Sequence, residues 1–167
     1  MSAAQQTLNW VRDFVIKHAL CPFAAQPFNE GRVGVSTCDV QDEEATFFWA
    51  LTQVQGFVDE QGEVETLLLV FPDQLPEFST FLDFVYTFEE ALSETGADAL
   101  VQLAHFHPDY QFEGVDADDP GNLTNRSPHP VLQFLRVGSV ATAVAGYPDV
   151  EGIPDRNVER MREMFSV

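Results

Sequence analysis

The sequence predicts an α+β (or α/β) fold, in which a small mixed sheet of three to four strands packs with about five helices. Segments with a helical spacing of apolar residues alternate with short apolar runs, which is typical of sheets covered by helices. Thr66–Phe71 is apolar throughout and stops at Pro72, as expected for a strand buried on both faces. Three or four strands are few for a doubly wound sheet, so we favour a two-layer sandwich. We expect a single domain over residues 1–167, a length typical of one hydrophobic core.

Local patterns place each element along the chain. Helical periodicity predicts helices near residues 5–20, 42–59, 76–94, 128–144 and 154–164. Short apolar or alternating runs predict strands at residues 32–37, 66–71 and 99–105, and a fourth short strand at 110–115. Residues 24–31 form a connection. Residues 116–126 are rich in Asp, Gly, Asn and Pro, and with their flanks they approach the length at which a loop is usually functional or disordered.

The charge balance narrows the classes of partner. The chain carries 27 acidic residues against 8 lysines and arginines, a formal net charge of −19. Such a surface repels phosphate backbones and anionic lipids, so we expect no nucleic-acid partner and no membrane binding. No apolar run approaches the roughly 20 residues that span a bilayer, and no secretory signal is visible, so a cytoplasmic location is expected. A salty environment would relieve the self-repulsion.

The two cysteines, Cys21 and Cys38, indicate neither a disulfide framework nor a zinc ribbon. A reducing compartment is therefore assumed. Cys21 follows the end of a predicted helix, whose negative pole would raise the pKa of its thiol. A nucleophilic role for Cys21 would require His107 or an arginine to be brought near it by the fold, and burial as an inert side chain is the alternative.

Two histidines lie at the end of the third predicted strand: His105 is its last residue, and His107 would belong to it if the strand continued for two more residues. In an extended chain His105 and His107 point to the same side, at the strand end where open α/β sheets tend to bind ligands. Such a pair can bind a metal or serve in acid–base chemistry. Cys21, Asp109, His129 and the aspartates of the loop at residues 116–126 are candidate further ligands, but no spacing selects one. The alternative is a hydrogen-bonded pair at a strand end.

The segment before the fourth predicted helix suggests an anion site. Ser127 is a good N-cap and Pro128 suits the first helical position, so a positive helix pole is expected beside Asn125 and Arg126. A second interpretation is that Arg126 pairs with a nearby Asp and Asn125 closes a turn. Among the other arginines, Arg32 and Arg136 also stand in unusual places. Arg12 lies on the first predicted helix among polar neighbours, and the arginines of the terminal predicted helix are interpreted as solvated charges: Arg156, Arg160 and Arg162.

Several blocks occur together over nearly the whole chain: Cys21-Pro-Phe-Ala24, Phe106-His-Pro-Asp-Tyr-Gln-Phe112, Thr124-Asn-Arg-Ser-Pro128, Leu135-Arg136 and Ile153-Pro-Asp-Arg-Asn157. With these blocks the chain resembles an uncharacterised family of mostly bacterial proteins, catalogued as domain of unknown function 1415. The resemblance implies no reaction. It does mark a set of positions: Cys21, His107, Pro108, Tyr110, Phe112, Asn125, Arg126, Ser127, Pro128 and Arg136.

The chain departs from the family pattern at several positions. The family typically has a small polar residue at the position of His105, which argues against a metal pair and favours His107 alone. It tends to have tyrosine where this chain has His129, and His-Leu-Leu-Arg-Glu where this chain has Gln133-Phe-Leu-Arg-Val137. A role of the missing histidine or glutamate would have passed to another residue, such as His129, or been lost.

Two hypotheses of function follow. In the first, the protein is a small enzyme or sensor of an anionic, phosphate- or carboxylate-bearing metabolite. Asn125, Arg126, Ser127 and Arg136 hold the anion, His107 is the general acid or base, and Cys21 or Tyr110 assists. In the second, the protein is a non-catalytic binding or structural protein in which His107, Asn125 and Arg126 anchor the long loop. No metal site is predicted, and the sequence indicates no particular cofactor or oligomeric state.

Overall fold

The computed structural model describes residues 1–60 and 62–166, and this part of the chain forms six α-helices around a four-stranded sheet. The strands are β1 (Val33–Thr37), β2 (Thr66–Val70), β3 (Val101–Phe106) and β4 (Val131–Arg136). The helices are α1 (Ala3–Trp10), α2 (Ala25–Asn29), α3 (Glu43–Asp59), α4 (Phe78–Glu94), α5 (Val137–Ala145) and α6 (Ile153–Phe165). A π-helix, Val11–Ile16, continues α1, and 3-10 turns cover Ala97–Ala99, Pro120–Asn125 and Val150–Gly152. The predicted α+β class is confirmed.

The sheet is mixed, with strand order β1-β2-β4-β3. β1 and β2 are parallel, and β4 pairs antiparallel with both β2 and β3. The last strand in sequence therefore enters between two earlier ones and runs against the other three. Phe106 pairs with Val131 and Val101 pairs with Arg136, so the end of β3 lies beside the start of β4.

Apolar side chains cover both faces of the sheet. On the first face, residues such as Leu69 and Phe134 pack with the buried sides of α3 and α4. On the second face, Leu68, Val70 and Val131 pack with Trp10 and other residues of the N-terminal helical segment. That segment adds a partial third layer to the favoured two-layer sandwich, because β2 and β4 alternate apolar side chains to both faces and neither set can be left in water.

The predicted helix at residues 128–144 is wrong over its first half. Residues 131–136 form β4, and only Val137–Ala145 is helical. Val131, Leu132 and Phe134 are buried on the two faces of the sheet. A short apolar run fits both a buried strand and a buried helix, and here pairing with strands on both sides decides for the strand.

The predicted fourth strand at 110–115 is also wrong, because this segment belongs to the irregular connection between β3 and β4. Its backbone is held by a side chain instead of a strand: the Phe112 N–H donates to Asn122 Oδ1 at 3.0 Å. Within residues 1–60 and 62–166 no helix has both the length and the apolar character needed to cross a membrane.

The C-terminal helix α6 ties the chain ends together. Arg160 Nη1 donates to the backbone carbonyls of His18 and Ala19, and Asn157 donates to that of Leu20. Arg162 forms a two-pronged ion pair with Asp119. The interpretation of these terminal-helix arginines as simply solvated charges is therefore wrong, because their partners come from distant parts of the chain.

Candidate functional site

His105 and His107 lie on the α4 side of the sheet, at the end of β3. The ring of Phe81 in α4 lies 6.2 Å from the His105 ring and 5.0 Å from the His107 ring, measured between centroids. The alternation of the strand thus places both imidazoles on one face, as the sequence predicts. Among the described residues, no group of three His, Cys, Asp or Glu side chains is placed to hold a metal ion.

His107 is buried, with 1% of its surface exposed, and both ring nitrogens have partners. The backbone N–H of Asp109 donates to Nδ1 at 3.0 Å, so the ring proton lies on Nε2. Nε2 donates to the carbonyl of Leu75 at 3.0 Å. The imidazole therefore bridges two backbone segments, and neither nitrogen is directed at a ligand space.

The carbonyl that accepts from His107 belongs to a strained residue. Leu75 has φ 58°, in the left-handed region, and is buried in the connection between β2 and α4. A non-glycine residue in this conformation persists only where its surroundings hold it. His107 is one such restraint, and it couples the end of β3 to the loop that leads into α4.

Asn125 and Arg126 fasten the long connection to β3. The Asn125 carbonyl accepts from the His107 N–H at 3.1 Å, and Asn125 Nδ2 donates to the His105 carbonyl at 3.1 Å. Arg126 donates from Nε to the Tyr110 carbonyl at 2.9 Å and from Nη2 to the Ala117 carbonyl at 2.8 Å. The amide and the guanidinium are thus directed at backbone carbonyls of the same region.

Tyr110 and His105 complete an aromatic cluster at the first sheet face. Their rings stack with centroids 5.6 Å apart, and Tyr110 also contacts Phe78 at 5.0 Å. Burial raises the pKa of Tyr110, with a further contribution from Tyr86. Burial also lowers the pKa of His105, whose Nδ1 has no hydrogen-bond partner among the described residues.

Ser127 is buried and bonds locally. Its hydroxyl donates to the backbone carbonyl of His129, and no helix begins at Pro128, because the next regular element of the described chain is β4. The helix pole that the predicted anion site requires is therefore missing at this position.

Arg136 lies away from the other predicted ligand-binding residues. It ends β4 opposite Val101, which puts it about 16 Å along the strands from the pair Phe106–Val131. Its guanidinium donates to the carbonyls of Phe57 and Val64, pairs with Glu60 at 3.1 Å and stacks 4.0 Å from the Phe57 ring. The structure does not bring Arg126 and Arg136 to a shared space.

Cys21 also lies apart from His107. It follows the N-terminal helical segment that covers the second sheet face, whereas His107 packs against α4 on the first face. Burial raises the pKa of the Cys21 thiol, against a smaller opposing effect of the backbone N–H groups of Phe23 and Ala24. The thiol is protonated at neutral pH, which suits an inert cysteine.

Two clefts lie near these residues, and neither is lined by more than one of the predicted site residues. A cleft of about 360 Å³ opens between the beginnings of α3 and α4, where Gln74 and Leu75 form part of its wall. Another, of about 430 Å³, is lined by Arg136, Leu100 and Ser139 at the opposite sheet edge. His107, Tyr110, Asn125 and Arg126 line neither of these two clefts.

Asn122 is a central residue that the sequence interpretation missed. It is fully buried, its Oδ1 accepts from Phe112 and its Nδ2 donates to the Asp116 carbonyl at 2.8 Å. A signal was present, since asparagine in a Gly- and Asp-rich connection commonly bonds nearby backbone. Leu75 gave no such signal, because its conformation and its bond to His107 depend on contacts across the fold.

A family model described as "Protein of unknown function (DUF1415)" matches residues 2–166. The match covers nearly the whole chain, so the chain belongs to this family, as the sequence resemblance implies. No curated protein and no solved structure matches the chain.

Proposed function

We propose that this member of the family is a non-catalytic binding protein, in which His107, Asn125 and Arg126 anchor the long β3–β4 connection and an external surface contacts a partner. One observation carries the proposal: each of the three side chains binds backbone atoms of the fold itself, through both ring nitrogens of His107, Nδ2 of Asn125, and Nε and Nη2 of Arg126. The remaining amide atom, Asn125 Oδ1, accepts from the Thr124 hydroxyl at 2.9 Å. A general acid or base must instead reach a proton of the substrate.

The anchoring role explains why these residues are needed together. The connection between β3 and β4 is long and irregular, so its backbone groups require partners other than a strand ladder. His107 binds the loop before α4, and Asn125 binds the end of β3. Arg126 donates to two separate carbonyls of the connection, those of Tyr110 and Ala117. The 3-10 turn Pro120–Asn125 packs against α6, and Arg162 of α6 forms an ion pair with Asp119 at the start of this turn.

The test is a thermal-shift screen against phosphorylated and carboxylated metabolites, with the variant Arg126→Lys as the matched control. A ligand at 100 times its dissociation constant adds about 2.7 kcal/mol, which is easily detected. We expect no anion to stabilise the wild-type protein more than it stabilises the variant. Stabilisation by one anion that disappears in Arg126→Lys would instead support the enzyme or sensor hypothesis.

Limited proteolysis gives the positive arm of the test. We expect His107→Ala and Arg126→Lys to expose the β3–β4 connection to cleavage while the circular dichroism of the helices is kept. Unchanged protection of the connection in both variants would contradict the anchoring role.

A further inference from the structure

Two large aromatic side chains stand exposed on the outer faces of α3 and α4. Phe48 and Tyr86 each have 58% of their surface in contact with solvent. The opposite sides of both helices are buried against the sheet, and Phe47 of α3 contacts Phe84 and Phe88 of α4. The two helices thus form one layer, and its outer surface exposes aromatic side chains of the kind that contribute most of the binding energy at protein interfaces.

The same outer surface carries many acidic side chains and no lysine or arginine. We use the name acidic aromatic face for Phe48, Tyr86 and the exposed carboxylates of these helices: Glu43, Glu44, Asp59, Asp83, Glu89, Glu90 and Glu94. The sequence has no lysine or arginine between Arg32 and Arg126. Among the ion pairs of the described residues, none involves a carboxylate of α3 or α4.

The cations of the chain lie elsewhere and are mostly paired. Arg136 pairs with Glu60, Arg156 with Asp149, and Arg162 with Asp119. The lysine and arginine side chains are therefore distributed asymmetrically over the fold. Residues 1–60 and 62–166 form no exposed basic surface of comparable extent that could receive the acidic aromatic face of a second copy. Solubility alone requires net negative charge and does not require one layer of the fold to be without lysine or arginine.

We propose that the acidic aromatic face is the docking surface for a partner protein, through a segment in which lysine or arginine alternates with apolar residues. This inference rests on the proposed function, because it names the partner chemistry of a non-catalytic binding protein. Basic side chains would meet carboxylates that form no ion pair among the described residues, and apolar side chains would cover Phe48 and Tyr86. The uniform negative field would also speed the encounter with such a partner.

Binding of a synthetic lysine–leucine peptide to the full chain tests the proposal at about 0.15 M NaCl, where charges more than about 8 Å apart are largely screened. The face variant neutralises four of its carboxylates: Glu44→Gln, Asp83→Asn, Glu90→Gln and Glu94→Gln. A control variant of identical net charge neutralises four exposed carboxylates elsewhere: Glu113→Gln, Asp116→Asn, Asp118→Asn and Glu151→Gln.

We expect the face variant to lose at least about tenfold in affinity, equivalent to about 1.4 kcal/mol, and the control variant to lose less than about threefold. Equal losses in the two variants, or no binding by the wild-type protein, would overturn the proposal. Spermine that binds as tightly as the peptide, with the same loss in the face variant, would overturn it in favour of a small polycation.

A second pair of variants tests the aromatic anchors without changing any charge. The double variant Phe48→Ser with Tyr86→Ser should bind the peptide with about tenfold lower affinity. The control pair, Leu100→Ser with Met164→Ser, removes exposed apolar side chains from other surfaces and should leave the affinity within about twofold. Equal effects of the two pairs would overturn the assignment of the aromatic residues to the docking surface.

The outcomes separate this inference from the proposed function. Failure of the peptide experiments together with a silent metabolite screen would remove only the docking surface. An anionic ligand lost in Arg126→Lys would remove the proposed function itself, whatever the peptide does. Circular dichroism and melting of each variant ensure that a lost interaction reflects the surface and not unfolding.

Discussion

At the scale of single residues, the histidines of β3 show how burial decides what a titratable group does. His107 accepts from one backbone segment and donates to another, so both of its ring nitrogens are engaged within the fold. His105 contacts aromatic rings and has a buried nitrogen without a partner among the described residues. The environment of His105 disfavours the charged imidazole, because a charge taken out of water needs a compensating partner.

The first prediction concerns the hydrogen bonds of His107. His107→Ala should lower the free energy of unfolding by about 2–4 kcal/mol, because it breaks two buried hydrogen bonds and leaves a cavity beside Phe81. Urea denaturation measures the change. His129→Ala, at a position nearer the surface, should cost less than about 1 kcal/mol, and equal costs at the two positions would contradict the bridging role.

The second prediction concerns the pH dependence of stability at His105. Burial lowers the pKa of His105 in the folded protein below the value of about 6.5 that it has in the unfolded chain. The unfolded chain therefore binds the proton at His105 more readily. The contribution of His105 is therefore fully present above about pH 6.5 and is lost as the pH falls towards the folded pKa. Urea midpoints between about pH 8 and pH 5 should fall in the wild type and fall less steeply in His105→Gln. Identical slopes would contradict this assignment.

At the scale of elements, side chains from distant parts of the chain complete the ends of helices and loops. Arg136 ends β4 and binds the carbonyls of Phe57 and Val64, on either side of the end of α3. On the other side of the fold, Gly121 lies against Val158 of α6, where a β-carbon would approach to 2.9 Å. Each contact joins elements that local periodicity treats as independent.

The third prediction tests the contact of Arg136 with the end of α3. Arg136→Lys should cost about 1–3 kcal/mol, because an ammonium cannot reproduce the forked bonds to Phe57, Glu60 and Val64. Arg12→Lys, at an exposed pair with Asp13, should leave stability nearly unchanged. Guanidinium denaturation compares the two variants, and a small effect at both positions would contradict the structural role of Arg136.

The fourth prediction tests the packing of α6. Gly121→Ala should destabilise the protein by about 1–3 kcal/mol through the clash with Val158, and Val158→Ala in the same chain should recover part of the loss. Gly56→Ala provides the control, since it lies inside α3 with open space around it and should stabilise by about 0.5–1 kcal/mol. Thermal unfolding of the double-mutant cycle measures the coupling, and additive effects would contradict the contact.

At the scale of the whole molecule, charge is distributed very unevenly. The net charge of −19 is spread over a surface on which α3 and α4 carry acids and no cations. Such a distribution destabilises the compact state by self-repulsion, and in the proposed docking it would direct a positively charged partner towards the acidic aromatic face. The docking proposal thus makes stability and partner choice depend on the same charges.

The fifth prediction follows from this repulsion. The melting temperature should rise with NaCl from about 0.05 to 1 M, because the screening length shortens from above 10 Å to about 3 Å. The face variant, which removes four of the unpaired carboxylates, should show a higher melting temperature at low salt and a smaller rise. Differential scanning calorimetry measures both. A melting temperature independent of NaCl would contradict the effect of self-repulsion.

Patterns within short segments of the sequence were sufficient to predict several features of the structure. The period of α4, the apolar run of β2 and the acidic start of α3 are visible without the fold, because helices and buried strands impose repeats on neighbouring residues. The blocks around His107 and Arg126 also marked the segments that the structure joins into one hydrogen-bonded cluster. Net charge and its separation along the chain follow from counting.

Tertiary structure alone decided what these residues contact. Residues 131–136 became a strand because β2 and β3 bond to both of their edges, although their local pattern also fits a helix. Arg136 was separated from Arg126 by the length of that strand, and His107 was matched to a carbonyl 32 residues away in sequence. Short-range periodicity reports the environment of a residue, whereas its hydrogen-bond partner depends on which distant backbone the fold brings within reach.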